Sequence, residues 1–206
     1  MEQEKENIPE QRKGKKTDTS ESVRLDSVEE AKQHFSVCKN RLLDVSSWHE
    51  LSGKGTAGFD LTDSKGDSVR RLAKKGDHFK IDIPAPGNTT GEGNDWVRIE
   101  EIEDQSNSQA QEEYLAIHVR PASNPKNQDK EVAHFFKDEA TSTFLVKREG
   151  NTVLAEVHGR NETPNTKDTN LIDTVRNAVV AVGAMLGFSD LQWKSLVKGL
   201  VEKQET

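Results

Sequence analysis

The sequence predicts an α+β fold in which an antiparallel sheet of about six to seven strands wraps around a long C-terminal helix. Two patterns favour this fold. Apolar residues recur every three or four positions over residues 28–45 and again from residue 171 onward, which indicates helices. Between these segments they alternate with polar residues in short runs separated by Gly, Asp and Pro, which indicates strands joined by turns.

The composition narrows the classes of function. The chain has 206 residues and a net charge of −7, and this acidity argues against general nucleic-acid binding, which needs clustered Lys and Arg. Cys38 is the single cysteine, which excludes an intramolecular disulfide framework and a Cys-rich zinc site. No apolar run reaches the roughly 18 residues that a membrane span requires. We therefore expect a cytoplasmic protein with no membrane span.

Residues 1–21 are predicted to form a disordered polar tail. Their only large apolar residue is Ile8, so they cannot bury enough surface to offset the entropy of ordering the chain. No apolar segment typical of a secretory signal follows Met1. The basic cluster at 12–16 is flanked by acids, so a solvated tail is favoured over a nuclear or membrane-surface role. Residues 22–206 are predicted to form a single α+β domain.

A capping signature followed by one apolar stripe predicts the first helix. Ser27 and Glu30 have the spacing of a capping box, after a short predicted strand at 23–25. Cys38 lies on the stripe, so a buried structural thiol is favoured over a reactive one. A second helical turn carries Trp48. The stripe consists of Val28, Ala31, Phe35, Cys38, Leu42 and Val45.

The strands are predicted where the apolar period changes to two. Polar loops at 84–95 and 122–140 interrupt the series, and a turn at 149–151 joins its last two strands into a hairpin. The apolar positions of the clearest strands are Phe59 and Leu61; Phe79 and Ile81; Val97 and Ile99; Leu115, Ile117 and Val119; Phe144 and Val146; and Val153, Ala155 and Val157.

The C-terminal part returns to helical spacing. The second half of the predicted long helix is also apolar on the face opposite its core stripe, at Val180, Ala181 and Ala184. This second apolar face must be buried against another element or a partner. The terminal helix, 189–203, is predicted to fold back over the first helix, or both meet a second subunit. The apolar run 178–188 is too short to span a membrane, and its lack of Lys and Arg disfavours a membrane-surface helix. The core stripes are Leu171, Ile172, Val175, Ala178, Val179, Val182 and Leu186, and then Trp193, Leu196, Val197 and Leu200.

The order of these elements resembles the START-like, polyketide-cyclase (SRPBCC) superfamily with the helix-grip fold. Residues 22–31 resemble that family's opening strand and first helix, and residues 43–48 are similar to its Trp-bearing helical turn. Residues 59–79 and the closing hairpin with the long helix fit the later elements. The resemblance covers roughly residues 22–188 and is one of pattern, because the family has no catalytic signature to match.

This resemblance implies a cavity between the sheet and the C-terminal helix that holds a lipid, a polyketide-like molecule or another small apolar ligand. Core packing is the alternative interpretation of every residue in the implied lining. That lining consists of Phe79, Ile81, Val97, Ile117, Phe144, Val146, Val157, Val175, Val179 and Val182.

Two similar tripeptides are the candidates for polar chemistry. Alternation places His118 and Arg120 on one side of their strand, and His158 and Arg160 on one side of theirs. If the odd-numbered residues face the helix, all four lie on the outer face of the sheet. They indicate either an anion site or a solvated strand face that pairs with Glu156 or Glu100, which we favour.

Other signals are weaker. Asp138 and Glu139, close to His134, could complete an acid–base set, but their spacing across loops fixes no geometry. No pair of histidines has metal-site spacing, and the glycine-rich loop at 87–93 lacks the ending of a phosphate loop. We expect no metal and no cofactor.

Three functions remain open. The first is a non-catalytic domain that binds a small apolar ligand. The second is an interaction or homodimer module that uses the apolar C-terminal helices. The third is a hydrolase or cyclase that uses His118, Arg120, His158 or Arg160.

Overall fold

The computed structural model describes residues 8–53, 55–83, 93–127, 131–165 and 190–203. Its helices are α1 (Val28–Leu43), a 3-10 turn (Val45–Ser47), α2 (Trp48–Ser52) and α3, whose described residues are 190–201. Its strands are β1 (Lys15–Arg24), β2 (Gly58–Thr62), β3 (His78–Asp82), β4 (Asp95–Gln105), β5 (Glu112–Pro121), β6 (Thr141–Glu149) and β7 (Thr152–Glu162).

The strands form one sheet in the order β1-β7-β6-β5-β4-β3-β2, and every neighbouring pair is antiparallel. The helices pack on one face of this sheet, where α1 contacts β6 and β7. This confirms the predicted α+β class and the seven-stranded antiparallel sheet, an arrangement consistent with a helix-grip fold.

Helix α1 begins where the capping signature predicts. The Ser27 side-chain oxygen accepts a hydrogen bond from the Glu30 backbone N–H at 3.1 Å, which satisfies one of the free donors of the first turn. The predicted stripe is buried, except that Val28 is 47% exposed at the first turn. Cys38 is fully buried, and burial raises the pKa of its thiol to about 12.

The folded chain starts earlier than the predicted boundary at residue 22. Strand β1 begins at Lys15 and pairs with β7 from Lys15 opposite Glu162 to Arg24 opposite Thr152. Backbone hydrogen bonds hold this edge strand, and Thr17 is its single buried side chain. A strand held in this way needs no apolar alternation, so the prediction of a tail over 1–21 missed it.

The terminal helix packs into the core, as the first alternative for residues 189–203 predicted. Leu196, Val197 and Leu200 are buried, and Trp193 is partly buried. Helix α3 lies beside α1. The Arg41 guanidinium of α1 links the two by donating to the carbonyls of Gly199, Leu200 and Glu202. The predicted long helix over 171–186 lies outside the described residues.

Candidate functional site

The space between the sheet and the helices is a continuous apolar interior. Seven of the predicted lining residues lie in the described part of the chain, and all seven belong to one buried cluster. The other three, Val175, Val179 and Val182, lie outside the described residues. The seven are Phe79, Ile81, Val97, Ile117, Phe144, Val146 and Val157.

Aromatic rings fill the part of this interior next to α3. Trp48 contacts Phe79 and Phe144 with ring centroids 5.6 and 4.8 Å apart. Trp193 of α3 meets Phe144 at 5.2 Å and Phe59 at 6.4 Å. Offset and edge-to-face contacts of this kind stabilise a core beyond the area they bury. The sequence signals that identified these rings were alternation in the strands and helical spacing in α3.

The hydrophobic cluster that fills this interior is apolar. Its buried members are apolar side chains and the Cys38 thiol. The Trp48 indole N–H is satisfied, because it donates to the backbone carbonyls of Arg41 and Leu42 at 3.2 and 3.1 Å. A molecule that entered this space would meet hydrocarbon and ring surfaces, which favour apolar groups and penalise polar ones.

The outer face of the sheet brings the two tripeptides together, with β6 between them. Thr143 is opposite both His118 on β5 and His158 on β7. Thr141 is opposite Arg160. We call these residues, with Arg120, the outer polar patch. Thr141 and Thr143 were not among the predicted site residues, although they occupy alternate positions of β6 and that period of two is a signal that identifies them.

In the first row of the patch, side-chain hydrogen bonds link β5 to β6 and β7 to β1. His118 Nδ1 lies 2.9 Å from Thr143 Oγ1. His158 Nδ1 lies 2.7 Å from Asp18 Oδ1, and its Nε2 lies 3.0 Å from Glu156 Oε2. Glu156 is one of the two carboxylates expected to pair on this face, but it lies on the same strand as His158, whose side chain is 11% exposed.

The two histidines of this row have opposite electrostatic environments. Burial lowers the pKa of His118, and Glu103, 3.4 Å from its Nε2, does not offset that effect. Burial would also lower the pKa of His158, but its hydrogen bonds with Glu156 and Asp18 outweigh burial and raise it. Asp18 is partly desolvated, yet hydrogen bonds from His158, Lys16 and Arg160 lower its pKa to about 2.

The second row is basic. Arg160 is 6% exposed and donates to Asp18 at 2.7 Å and to the Thr17 carbonyl at 3.1 Å. Arg120 is exposed, donates to the Asp138 carbonyl at 3.1 Å, and lies opposite Arg98 of β4. These two arginines therefore have different roles, because a carboxylate neutralises Arg160 and a backbone carbonyl holds Arg120.

The candidate residues His134, Asp138 and Glu139 contact different partners. His134 Nδ1 accepts a hydrogen bond from the Phe136 N–H at 2.9 Å, and burial lowers the pKa of His134. Glu139 forms an ion pair with Lys13 at 2.6 Å. Asp138 contributes its backbone carbonyl to Arg120. His134, Asp138 and Glu139 therefore contact different partners, and these contacts do not join them into an acid–base set.

The described residues contain neither a metal-ligand cluster nor a membrane-spanning helix. No group of three or more His, Cys, Asp or Glu side chains in that part of the chain is arranged to hold a metal ion. None of the helices described there has both the length and the apolarity to cross a membrane.

No protein-family model matches the sequence, and no curated protein matches it. Among solved structures, the chain is similar to the protein XoxI from Bacillus cereus, at 17% identity over 93% of this chain and 99% of that one, with a TM-score of 0.38. It is similar to a START superfamily protein from Mycobacterium smegmatis, at 10% identity over 91% and 99%, with a TM-score of 0.37. It is also similar to major latex-like protein 151 from Panax ginseng, at 12% identity over 87% and 97%, with a TM-score of 0.36.

The START superfamily, which the order of elements resembles, is therefore represented among these similar structures. At such identities and TM-scores the likeness carries no functional conclusion, and function has to be argued from the residues of this chain.

Proposed function

We propose that this protein binds a small apolar ligand in the interior between the sheet and α3, without catalysing a reaction on it. The observation that carries this proposal is the interior itself, a single apolar cluster in which aromatic rings of β2, β3, β6, α2 and α3 contact one another. Trp193 is the aromatic residue among its partly buried members, and we propose that the ligand enters at the Trp193 end and packs against Phe144 and Phe59.

The position of the polar residues supports a binding role. His118, His158 and Arg160 lie on the outer face, on the opposite side of the sheet from the interior. A hydrolase or cyclase acting on an interior ligand would need a general acid or base within hydrogen-bond reach of that ligand. Among the described residues, the hydrophobic cluster contains one ionisable group, the Cys38 thiol, whose raised pKa keeps it protonated at neutral pH. The buried Arg148 and Glu113 also lie on the interior side of the sheet, and they are paired with each other at 2.6 Å.

One of the two apolar surfaces that suggested an interaction or homodimer module is not available to a partner. The apolar face of α3, formed by Leu196, Val197 and Leu200, is buried in the core of its own chain. The other surface, at Val180, Ala181 and Ala184, lies outside the described residues. Ligand binding is therefore the function that the described geometry favours.

A neutral fluorescent probe, N-phenyl-1-naphthylamine, tests this proposal. We expect saturable binding of one probe per chain, with NMR shifts at Ile81, Ile117 and Leu196. Phe144→Leu keeps the interior apolar but removes one ring, and should weaken binding about five-fold, in line with the energy of one aromatic contact. Phe135→Leu is the matched control, because Phe135 makes its edge-to-face contact with Phe136 outside the buried cluster.

Native mass spectrometry of freshly purified protein adds an independent readout, in which we expect a bound small molecule. Probe binding that does not saturate, or that shifts only surface residues, would contradict an interior ligand site.

A further inference from the structure

The outer face carries a second, polar cleft. It has a volume of about 570 Å³, which is within the range of small-molecule sites. Its lining includes the cations Arg12, Lys13 and Arg120, the polar Thr141 and Asn161, and the acids Glu10 and Glu139. The cleft thus joins the N-terminal segment to residues 120–161, which the sequence separates by more than 100 residues.

The charges in the cleft are only partly compensated. Arg12 forms an ion pair with Glu10 at 3.2 Å, and Lys13 forms one with Glu139 at 2.6 Å. Arg120 has no carboxylate partner among the described residues; its one hydrogen bond goes to the Asp138 carbonyl. A guanidinium has five N–H donors, so most of the donors of Arg120 remain available to a ligand.

The register of the sheet adds to this positive charge. Arg98 lies directly opposite Arg120, and its nearest carboxylate, Glu100, is 3.7 Å away at the surface. Like charges at directly opposite positions of an antiparallel pair destabilise it. An oxyanion bound at Arg120 would relieve that repulsion.

A buried hydroxyl points to the same chemistry. Thr141 lines the cleft and is 8% exposed, and its Oγ1 has no hydrogen-bond partner within the described part of the chain. Leaving a buried polar atom unpaired is costly, so such atoms commonly mark a position that a ligand or water satisfies. A hydroxyl can donate to an anionic oxygen at the same time as Arg120 does.

Asn161 holds the N-terminal segment that lines one side of the cleft. Its Oδ1 accepts hydrogen bonds from the backbone N–H groups of Arg12 and Lys13 at 2.8 and 3.2 Å, and its Nδ2 donates to the Glu10 carbonyl at 3.1 Å. Asn161 has a φ of 57°, a left-handed conformation that Asn tolerates better than most residues. The segment that carries Arg12 and Lys13 is thus positioned before any ligand binds.

We propose that this cleft binds a small organic anion, through a carboxylate or phosphate group held by Arg120 and Thr141. The guanidinium supplies a bidentate fork, the Thr141 hydroxyl supplies a third donor, and the Asn161-anchored segment closes the site. This site is on the opposite side of the sheet from the apolar interior and is independent of the function proposed for it.

Titration of the full chain with inorganic phosphate and with acetate, at constant ionic strength, tests the proposal by ¹⁵N NMR. We expect saturable shifts at the amides of Lys13, Thr141 and Asn161 and at the Arg120 side chain. A tighter response to phosphate would assign a phosphate-bearing ligand, and a tighter response to acetate a carboxylate. If neither anion gives saturable shifts there, the proposal is wrong.

Variants locate the response. Arg120→Gln should weaken binding at least ten-fold, and Thr141→Val, which keeps the shape and removes the hydroxyl, about three-fold. Arg70→Gln makes the same charge change in the segment between β2 and β3 and should leave binding within two-fold. Equal losses in Arg120→Gln and Arg70→Gln would show general attraction to surface charge and overturn the site. The Thr141→Val arm keeps the proposal testable if Arg120→Gln does not fold.

Discussion

At the scale of single residues, His158 should make stability depend on pH. Its pKa is raised in the folded protein by Glu156 and Asp18. A raised histidine pKa contributes stability that is fully present below the ordinary value of 6.5 and is lost as the pH rises through the folded-state pKa. His158→Gln should therefore cost about 1.5–3 kcal/mol at pH 6, the worth of hydrogen bonds to charged groups, and less at pH 9.

Urea unfolding of the wild type and His158→Gln at both pH values measures this difference. His49→Gln is the control, since His49 is a half-exposed histidine on α2. The buried histidines His78, His118 and His134 have lowered pKa values, so their contribution to stability changes with pH in the opposite sense. Comparing variants rather than wild-type curves removes that background. An equal cost at pH 6 and pH 9 would contradict the role assigned to His158.

Arg148 shows what alternation can and cannot predict about one residue. It follows Val146 by two positions and so faces the interior side of β6, as the period of two requires. Its role is not predictable from the sequence, because a charged residue at such a position needs a partner that only the fold supplies. That partner is Glu113 of β5, 2.6 Å away, and the Arg148 side chain is fully buried. Its guanidinium also donates to the carbonyls of Ala110 and Gly150, which fixes the loop before β5.

At the scale of elements, α3 depends on a close approach between its backbone and α2. A Cβ atom at Gly199 would collide with the Leu51 backbone carbonyl. Replacing glycine by alanine inside an exposed helix usually stabilises it by about 1 kcal/mol. Here Gly199→Ala should instead destabilise the protein by about 1–3 kcal/mol, the usual cost of overpacking, because α3 must move away from α2.

Denaturant unfolding and hydrogen exchange of the α3 amides test this prediction. Lys198→Ala, at the exposed neighbouring position, should change stability by less than about 0.5 kcal/mol. A Gly199→Ala protein that is more stable than the wild type would show that α3 and α2 do not pack as closely as described.

The elements also differ in how far the sequence predicts them. Helix α1 and strands β6 and β7 carry strong apolar periods, and they form where those periods lie. Strand β1 has no such period, because backbone pairing with β7 holds it and most of its side chains face solvent. Apolar periodicity therefore does not predict an edge strand of this kind.

At the scale of the whole molecule, the N-terminal segment is expected to act as one wall of the anion cleft. Asn161→Gly removes the side chain that anchors residues 8–13, and glycine adopts the φ of 57° without strain. Unfolding free energy should then change by less than about 1 kcal/mol, since glycine offsets part of the lost hydrogen bonding. Hydrogen-exchange protection of Arg12 and Lys13 should fall, and phosphate should bind more weakly.

The same variant should leave binding of the neutral apolar probe unchanged, because the interior lies on the other face of the sheet. Asn107→Gly, in the loop between β4 and β5, is the matched control and should alter neither ligand response. Loss of apolar-probe binding in Asn161→Gly would show that the two sites are coupled, contrary to the independence proposed here.

The sequence by itself determined the class of fold, the apolar faces of α1 and the clearest strands, and the placement of the His and Arg of each tripeptide on one side of its strand. Those properties follow from periodicity, which is local. Only the tertiary structure decided the register that places Thr141 and Thr143 between the tripeptides, the carboxylates that neutralise His158 and Arg160, and the docking of Arg12 and Lys13 on Asn161. These contacts join residues far apart along the chain, and no local pattern specifies which distant strands and segments become neighbours.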